Sequence, residues 1–408
     1  MTTKELERGM RTPPEHTEPV VVDVALPASD LFEREDVLDA APVAGGEERI
    51  YVASQWQLMW WKFRRHKMAL ISVGILVIVY GITLFCEFLA PYDPHRYDVK
   101  FAYAPPQLPH FFDEEGLIFP PYVYGLKGAR DPETLRIIYE IDEMQRQQIR
   151  FFVQGDPYRF WGIWPSNLRL VGLETNQQVV YILGADRLGR DNLSRILMGT
   201  RVSTTIGLVG VSLSFVLGIL LGGLSGFYGG AIDTIIQRLI EFIRSIPSIP
   251  LWLALSAAVP KDWPVLRVYF MITVILSLVG WTGLARVVRG RFLSLRKEDF
   301  VLAAKLSGSS EMRIILRHMV PSFYSHIIAS VTLAIPWMIL SETSLSFLGL
   351  GIRPPAISWG ALLQEAQNLR AIAMAPWLLL PGLFVVITVL AFNFVGDGLR
   401  DAADPYAR

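Results

Sequence analysis

Charged residues thin out in six places along this chain, and those places set its plan. Residues 69–86 run for 18 positions without a charge, long enough to cross a bilayer core of about 30 Å. Residues 202–232 carry no charge at all, and Gly207, Gly210, Gly218, Gly222, Gly223 and Gly226 are strung along them, which favours close helix packing in lipid. From 232 to 244, apolar positions alternate with a polar face of Asp233, Gln237, Glu241 and Arg244, and 249–259 is apolar again. These two pieces read as one membrane helix kinked near Pro247 and Pro250, with its polar half near the inner surface. Residues 268–288, 326–350 and 377–395 supply three more helices. The pattern predicts an all-α polytopic membrane protein of six transmembrane helices.

The polar stretches set its orientation. Residues 1–50 are rich in Glu, Asp, Pro and Ala and show no sustained apolar period, the composition of a disordered acidic tail. No apolar run near Met1 suggests a cleavable signal peptide. Residues 51–90 hold an interfacial segment and the first helix. Trp56, Trp60, Trp61 and Phe63 suit the headgroup layer there, and Lys62, Arg64, Arg65 and Lys67 hold the inner side. Both termini are therefore expected in the cytoplasm. Residues 91–200 are polar and aromatic without a membrane run, and are expected outside. Within them, Asp131-Pro132-Glu133 reads as a helix start, with the helix continuing to about Arg150; 151–172 suggests short strands and turns. The insertion reads equally as a lid or docking platform and as a surface decoration. Residues 201–408 form the membrane core, and the basic cluster between Arg286 and Arg317, against the sparse charges of 260–267 and 351–376, matches the positive-inside bias.

Composition narrows the function. The chain has 408 residues, 52% of them hydrophobic and 19% charged, with zero formal net charge, which argues for a lipid bilayer and against a nucleic-acid partner. Its one cysteine, Cys86, excludes an internal disulfide and any Cys-based metal cluster. No phosphate-binding G-x-x-x-x-G-K-[ST], H-E-x-x-H or G-x-S-x-G motif occurs, and the six histidines are scattered. The sequence offers no catalytic, cofactor or metal site. Ionisable residues in membrane runs remain, because burying a charge in lipid is costly. Glu342, with Ser346 one turn on, reads either as the lining or gate of a translocation path or as an outer-end residue reaching water or a neighbouring helix. Glu87 is expected at the outer interface, Arg238 and Glu241 are placed to pair, and Asp191 and Arg195 are spaced to pair on a helix surface.

One charged segment, 298–321 within a loop of 291–322, lies between two of the helices. Its first half places Ala303, Ala304, Ser307 and Gly308 on one small-residue face. Gly308-Ser309-Ser310 breaks the helix and offers a hydroxyl cap, and Glu311 suits the next N-terminus. The second half sets Met312, Ile315, Leu316, Met319 and Val320 on a stripe, and Pro321 closes it. The product is a plug of two short angled helices that fits a groove on another protein.

Ala303-Ala304, Gly308 and Pro321 keep the spacing of the E-A-A-x3-G-x9-I-x-L-P loop of bacterial ABC importer permeases, with Leu302, His318 and Val320 as departures. LGADRLGRDNLSR at 183–195, SETSLSFLGLG at 341–351 and GDGLRDAADP at 396–405 resemble segments of the dipeptide and oligopeptide permeases, closest to their C-type subunit. The resemblance covers 54–408 apart from much of 100–180. It implies the type I ABC importer permease fold with an enlarged periplasmic insertion, in a bacterial inner membrane. It also implies a second homologous permease, two ATPase subunits (or one fused ATPase) binding ATP and Mg, and an extracytoplasmic substrate-binding protein. The ATPase-coupling residues implied are Asp299, Ala303, Ala304, Gly308, Ile315, Leu316, Met319 and Pro321. The cargo implied is a peptide or peptide-like solute, although nickel importers share the architecture. Two other classes stay in view: an ion-coupled carrier using Glu342, Glu241 or Asp233, and a membrane-anchored enzyme or binding module with its chemistry in 91–200.

Overall fold

The computed structural model describes residues 55–403 apart from 114–115, 131, 133–136, 174–177 and 261; the acidic tail expected over 1–50 lies outside the described residues. The chain enters through α1 (Gln55–Arg65), which buries Met59 and Phe63 and exposes Trp56 and Trp60. His66 then takes the cap position, its Nδ1 accepting the Ala69 N–H at 3.1 Å, and α2 (Lys67–Leu89) begins. After the insertion that follows α2 come α3 (Asn192–Tyr228), α4 (Gly230–Ser245), α5 (Ser248–Ala257) and α6 (Val265–Leu295). α7 (Asp299–Leu306) and the three-residue α8 (Glu311–Arg313) form the loop between the membrane helices, followed by α9 (Tyr324–Phe347), α10 (Trp359–Glu365), α11 (Leu369–Met374) and α12 (Leu380–Ala403).

Five helices among the described residues are long and apolar enough to cross a membrane, and the pair α4–α5 makes a sixth if it is one span. That pair bends by 85° at Ile246-Pro247, where proline withholds the N–H that would continue the ladder. The kink expected near Pro247 is present, but as a break between two helices. Asp233 on α4 takes the Arg289 guanidinium of α6 at 2.5 and 2.6 Å and also accepts from the Ser225 hydroxyl of α3 at 2.5 Å. Arg238 and Glu241 pair as expected, at 2.7 Å on the exposed face.

α3 is the central helix, packing against α2, α6 and α9. Its glycines divide between two partners: Gly207 and Gly210 lie against Ile339 and Met338 of α9, and Gly218, Gly222 and Gly226 against α6. A Cβ on Gly222 would sit 2.5 Å from the Ala285 carbonyl oxygen, so the backbones touch with no room for a side chain. Gly222→Val is expected to part α3 from α6 and cost about 1–3 kcal/mol. A lower thermal midpoint in detergent at unchanged helix content would register it.

The insertion is a four-stranded antiparallel meander, β1 (His110–Asp113), β2 (Gly116–Arg130), β3 (Ile137–Phe160) and β4 (Trp164–Leu173), in the order β1-β2-β3-β4. Of the helix expected from Asp131 to about Arg150, the part from Ile137 on is strand: β3 occupies it, pairing Tyr122 with Gln148 on one side and Ile149 with Leu173 on the other. The Glu-Met-Gln-Arg-Gln-Gln run favours a helix by propensity, but pairing along both edges outweighs a bias of tenths of a kcal/mol per residue. Val123, Ile149, Leu173 and Val180 make the small core under the sheet. Arg169 of β4, only 2% exposed, fastens the sheet to the membrane helices. Its Nη1 donates to the carbonyls of Ala90 at 2.6 Å and Tyr92 at 3.2 Å just past the end of α2, and its Nη2 to Asp156 O at 3.1 Å. A guanidinium is suited to this, having several fixed donors and no acceptor.

Candidate functional site

α7 ends as the sequence foretells. Ser307 is its C-cap, Gly308 takes φ +75°, and the Ser309 N–H reaches back to Ala304 O at 3.1 Å while the Gly308 N–H bonds Lys305 O at 3.0 Å. This is the closure in which a left-handed residue just beyond the helix satisfies the last carbonyls, and glycine fits it because it has no Cβ. Ser310 does precede α8, but its hydroxyl makes no capping bond. Glu311 instead accepts a hydrogen bond from the Tyr228 hydroxyl at the end of α3. From Ile314 to Met319 the chain widens into a π turn, then tightens to a 3-10 turn over Val320–Phe323 before α9. Pro321 has no N–H to give to Arg317 O, so a regular α-helix cannot run through this point.

The wide turn changes which side chains face outward. Ile314, Ile315, Met319, Val320 and Phe323 all turn inward with Val301 and Ala304, against Phe227, Val288, Phe292 and Ile327. Ile315, Met319 and Val320, expected on the docking stripe, are therefore buried anchors: the α period groups them with Met312 and Leu316, and the π turn shifts the phase. Ala304 is likewise buried and Pro321 half-buried. The outer side carries Asp299, Phe300, Leu302, Ala303, Leu306, Met312 and Leu316, with Leu306 90% exposed. Leu302, at the motif's glutamate position, stands exposed on this outer side, so the loop offers an apolar side chain where the motif has a carboxylate. Lys305 lies over the Phe227 ring at 4.7 Å, which ties α7 to α3. The loop is thus fastened on one face and presents unpartnered apolar side chains on the other, an arrangement associated with binding another protein.

At the opposite end of α3, the 183–195 segment is a charge cluster. Asp186 receives Arg190 at 2.5 Å and Arg195 at 2.9 Å, and Glu365 of α10 receives Arg190 at 2.9 Å and Arg195 at 3.7 Å. Asp191 does not pair with Arg195 as its spacing suggested; it caps α3 through the Ser194 N–H at 2.8 Å. Gly189, at φ +72°, lies so near Asp98 that a Cβ would be 1.8 Å from its carbonyl oxygen. Burial raises the Asp191 carboxyl to about 6, against the hydrogen bonds from Ser194 that lower it. A raised carboxyl stabilises the fold fully below its unfolded pKa, and that contribution is lost as pH rises through about 6. Asp191→Asn keeps the cap and is expected to flatten the fall in stability between pH 4 and 6, read by thermal unfolding in detergent.

Glu342 is 0% exposed. Its carboxylate accepts from Ser203 of α3 at 3.2 Å and from Ser346 at 2.7 Å. The two serines pass the network on: Ser203 Oγ accepts the Trp359 N–H at 3.1 Å, and Ser346 Oγ accepts the Ile352 N–H at 2.9 Å. In this conformation Glu342 is tied to the neighbouring helix α3 through Ser203 and does not reach water. Glu87, expected at the interface, is also buried and is held by two hydrogen bonds from Arg201 of α3. The roles of Arg169 and Arg201 at α2 have no local sequence signal, since Ala90 lies 79 positions from Arg169 and Glu87 lies 114 from Arg201.

Residues 216–408 match the family described as "Binding-protein-dependent transport system inner membrane component". Residues 54–106 match the "N-terminal TM domain of oligopeptide transport permease C". The oligopeptide transport system permease protein OppC of Bacillus subtilis is 38% identical over 226 residues, 55% of this chain and 72% of that protein. OppC of Escherichia coli K12 is 40% identical over 229 residues, 56% of this chain and 73% of the other. The glutathione transport system permease protein GsiD of Pectobacterium atrosepticum is 39% identical over 224 residues, 55% and 72% of the two chains. An inward-facing structure of the MetNI methionine ABC transporter matches with a TM-score of 0.39 and 18% identity, over 51% of this chain and 96% of the other. The chain belongs to the family of binding-protein-dependent transport system inner membrane components.

Proposed function

We propose that this chain is a transmembrane permease subunit of an ATP-driven importer of peptides or peptide-like solutes. It forms half of the pore with a second, related permease. Two ATPase subunits bind ATP and Mg and dock on the 299–321 loop, and an extracytoplasmic binding protein delivers the cargo. Both termini lie on the cytoplasmic side of an inner membrane. The observation that carries this reading is the loop itself, a plug locked to α3 and α6 on one face with apolar side chains bare on the other. The names of the relatives support the choice of cargo. Closing the ATPases would move the plug and, through Phe292 and Phe227, the helices it is packed against, which needs differential contacts in two states and no reactive residue here. A proton carrier would need titratable groups free to exchange, yet Asp233 is clamped by Arg289 and Glu342 is enclosed by serines. Purified chain in liposomes tests the proposal. Uptake of peptide that requires ATP and the partner subunits supports it; uptake driven by a pH gradient with this chain alone overturns it.

A further inference from the structure

The turn joining β3 to β4 lies where an extramembrane sheet should have no business. Trp161 donates its indole N–H to Leu84 O at 3.0 Å and its backbone N–H to Glu87 Oε1 at 3.2 Å. Both acceptors belong to α2, the first membrane helix. Leu84 stands 17 residues beyond Lys67, the first residue of α2, and at 1.5 Å per residue that is about 26 Å from the basic inner flank. A hydrocarbon core of about 30 Å therefore still surrounds it. α2 leaves helical geometry at Phe85, with φ −113° and ψ 20°, and backbone carbonyls at such depth need protein donors. They get them: Thr83 O accepts Arg201 Nε at 3.0 Å, and Leu84 O accepts the indole.

The turn residues suit the same environment. Residues 160–165 read Phe-Trp-Gly-Ile-Trp-Pro, with no charge between Arg159 and Arg169, the aromatic composition of a membrane interface. Trp161 adopts φ +53° and Gly162 φ +73°, so a residue that resists this conformation is held in it, and its ring is thereby laid on α2. That ring also lies 4.5 Å from the Arg201 guanidinium and screens the Glu87–Arg201 pair. Ile163, 66% exposed, and Trp164 turn away from the protein, as do Leu84 and Phe85 on α2 beside them, and the Phe160 and Phe85 rings stack at 6.0 Å. The apolar surface of the span thus continues without a break onto the hairpin.

We infer that the β3–β4 hairpin tip is inserted into the outer boundary of the bilayer, with Ile163 and Trp164 in contact with lipid, as an anchor that fixes the insertion to the membrane and shields the Glu87–Arg201 pair from acyl chains. The inference requires only that α2 spans the bilayer, whatever the cargo. Lipid is the occupant because Leu84 and Phe85, on the same surface, lie within the span.

Nitroxide labels on Ile163→Cys and Trp164→Cys, in a Cys86→Ser background, test it in lipid vesicles of the full chain with its partner subunits. Collision with oxygen is compared with collision with a water-soluble nickel chelate, using Val77→Cys in α2 and Met144→Cys, at a side chain 93% exposed on the sheet, as references. At 163 and 164 oxygen is expected to dominate as at 77, with the opposite at 144. Nickel access equal to that at 144 would place the tip in water and overturn the inference. Exclusion of both reagents with an immobilised spectrum would assign the surface to a protein neighbour and overturn it too. On the unaltered chain, a diazirine carried on a phospholipid acyl chain is expected to label the 160–164 peptide together with α2. Labelling of α2 alone would contradict the inference without any substitution.

Discussion

Leu306→Asp combined with Met312→Asp is expected to abolish ATP-driven uptake while the chain still enters the membrane at normal yield. Both side chains are exposed, and neither belongs to the cluster of Ile314, Ile315, Met319 and Phe292 that fastens the loop. The substitutions therefore leave the plug in place and change only what it offers. Buried apolar anchors at protein interfaces are worth about 2 kcal/mol or more each, and every 1.4 kcal/mol is tenfold in affinity. Two carboxylates in place of two such anchors are expected to weaken ATPase binding by about a hundredfold or more. Co-purification of the ATPase and uptake by vesicles read this directly. Full retention of both would remove the outer face from the coupling mechanism.

Arg195→Ala is expected to be the most damaging single change outside the loop. The side chain is 4% exposed and is shared between Asp186 and Glu365, which join the start of α3 to α10. Its loss leaves Arg190 as the remaining guanidinium bonded to the buried Asp186 and the half-buried Glu365, and breaking a buried pair by removing one partner costs about 3–5 kcal/mol. Faster proteolysis at 183–191 and a lower thermal midpoint would register the damage. Arg195→Lys is expected to recover only part of it, because an ammonium cannot bridge two carboxylates as a planar fork does. Wild-type stability in Arg195→Ala would show that the cluster contributes nothing.

Much of this architecture can be read from the chain because lipid selects strongly for it. Runs such as 69–86 and 202–232 have no alternative to a spanning helix, Pro247 marks a break through its missing N–H, and Gly308 marks one through its missing Cβ. What escapes the sequence is what depends on partners far away in the chain. The first part of β3 reads as the continuation of a helix from Asp131 to about Arg150 until β2 and β4 are placed beside it. Glu87 looks interfacial until Arg201, 114 positions on, reaches it. The loop is an intermediate case. Its two-part form is local and legible, but the π turn over Ile314–Met319 moves Ile315 and Met319 from the outer stripe to the core, and a count at the α period cannot register that shift.

The coupling role of the outer loop face is tested most directly by a photo-crosslinking amino acid at position 306. Vesicles holding the assembled transporter are irradiated with and without ATP, beside a control carrying the probe at lipid-facing Val77. A crosslink from 306 to the ATPase subunit is expected, with a yield that changes with nucleotide, and none to the ATPase from 77. Unimpaired uptake with no ATPase crosslink at 306 in either nucleotide state would contradict it.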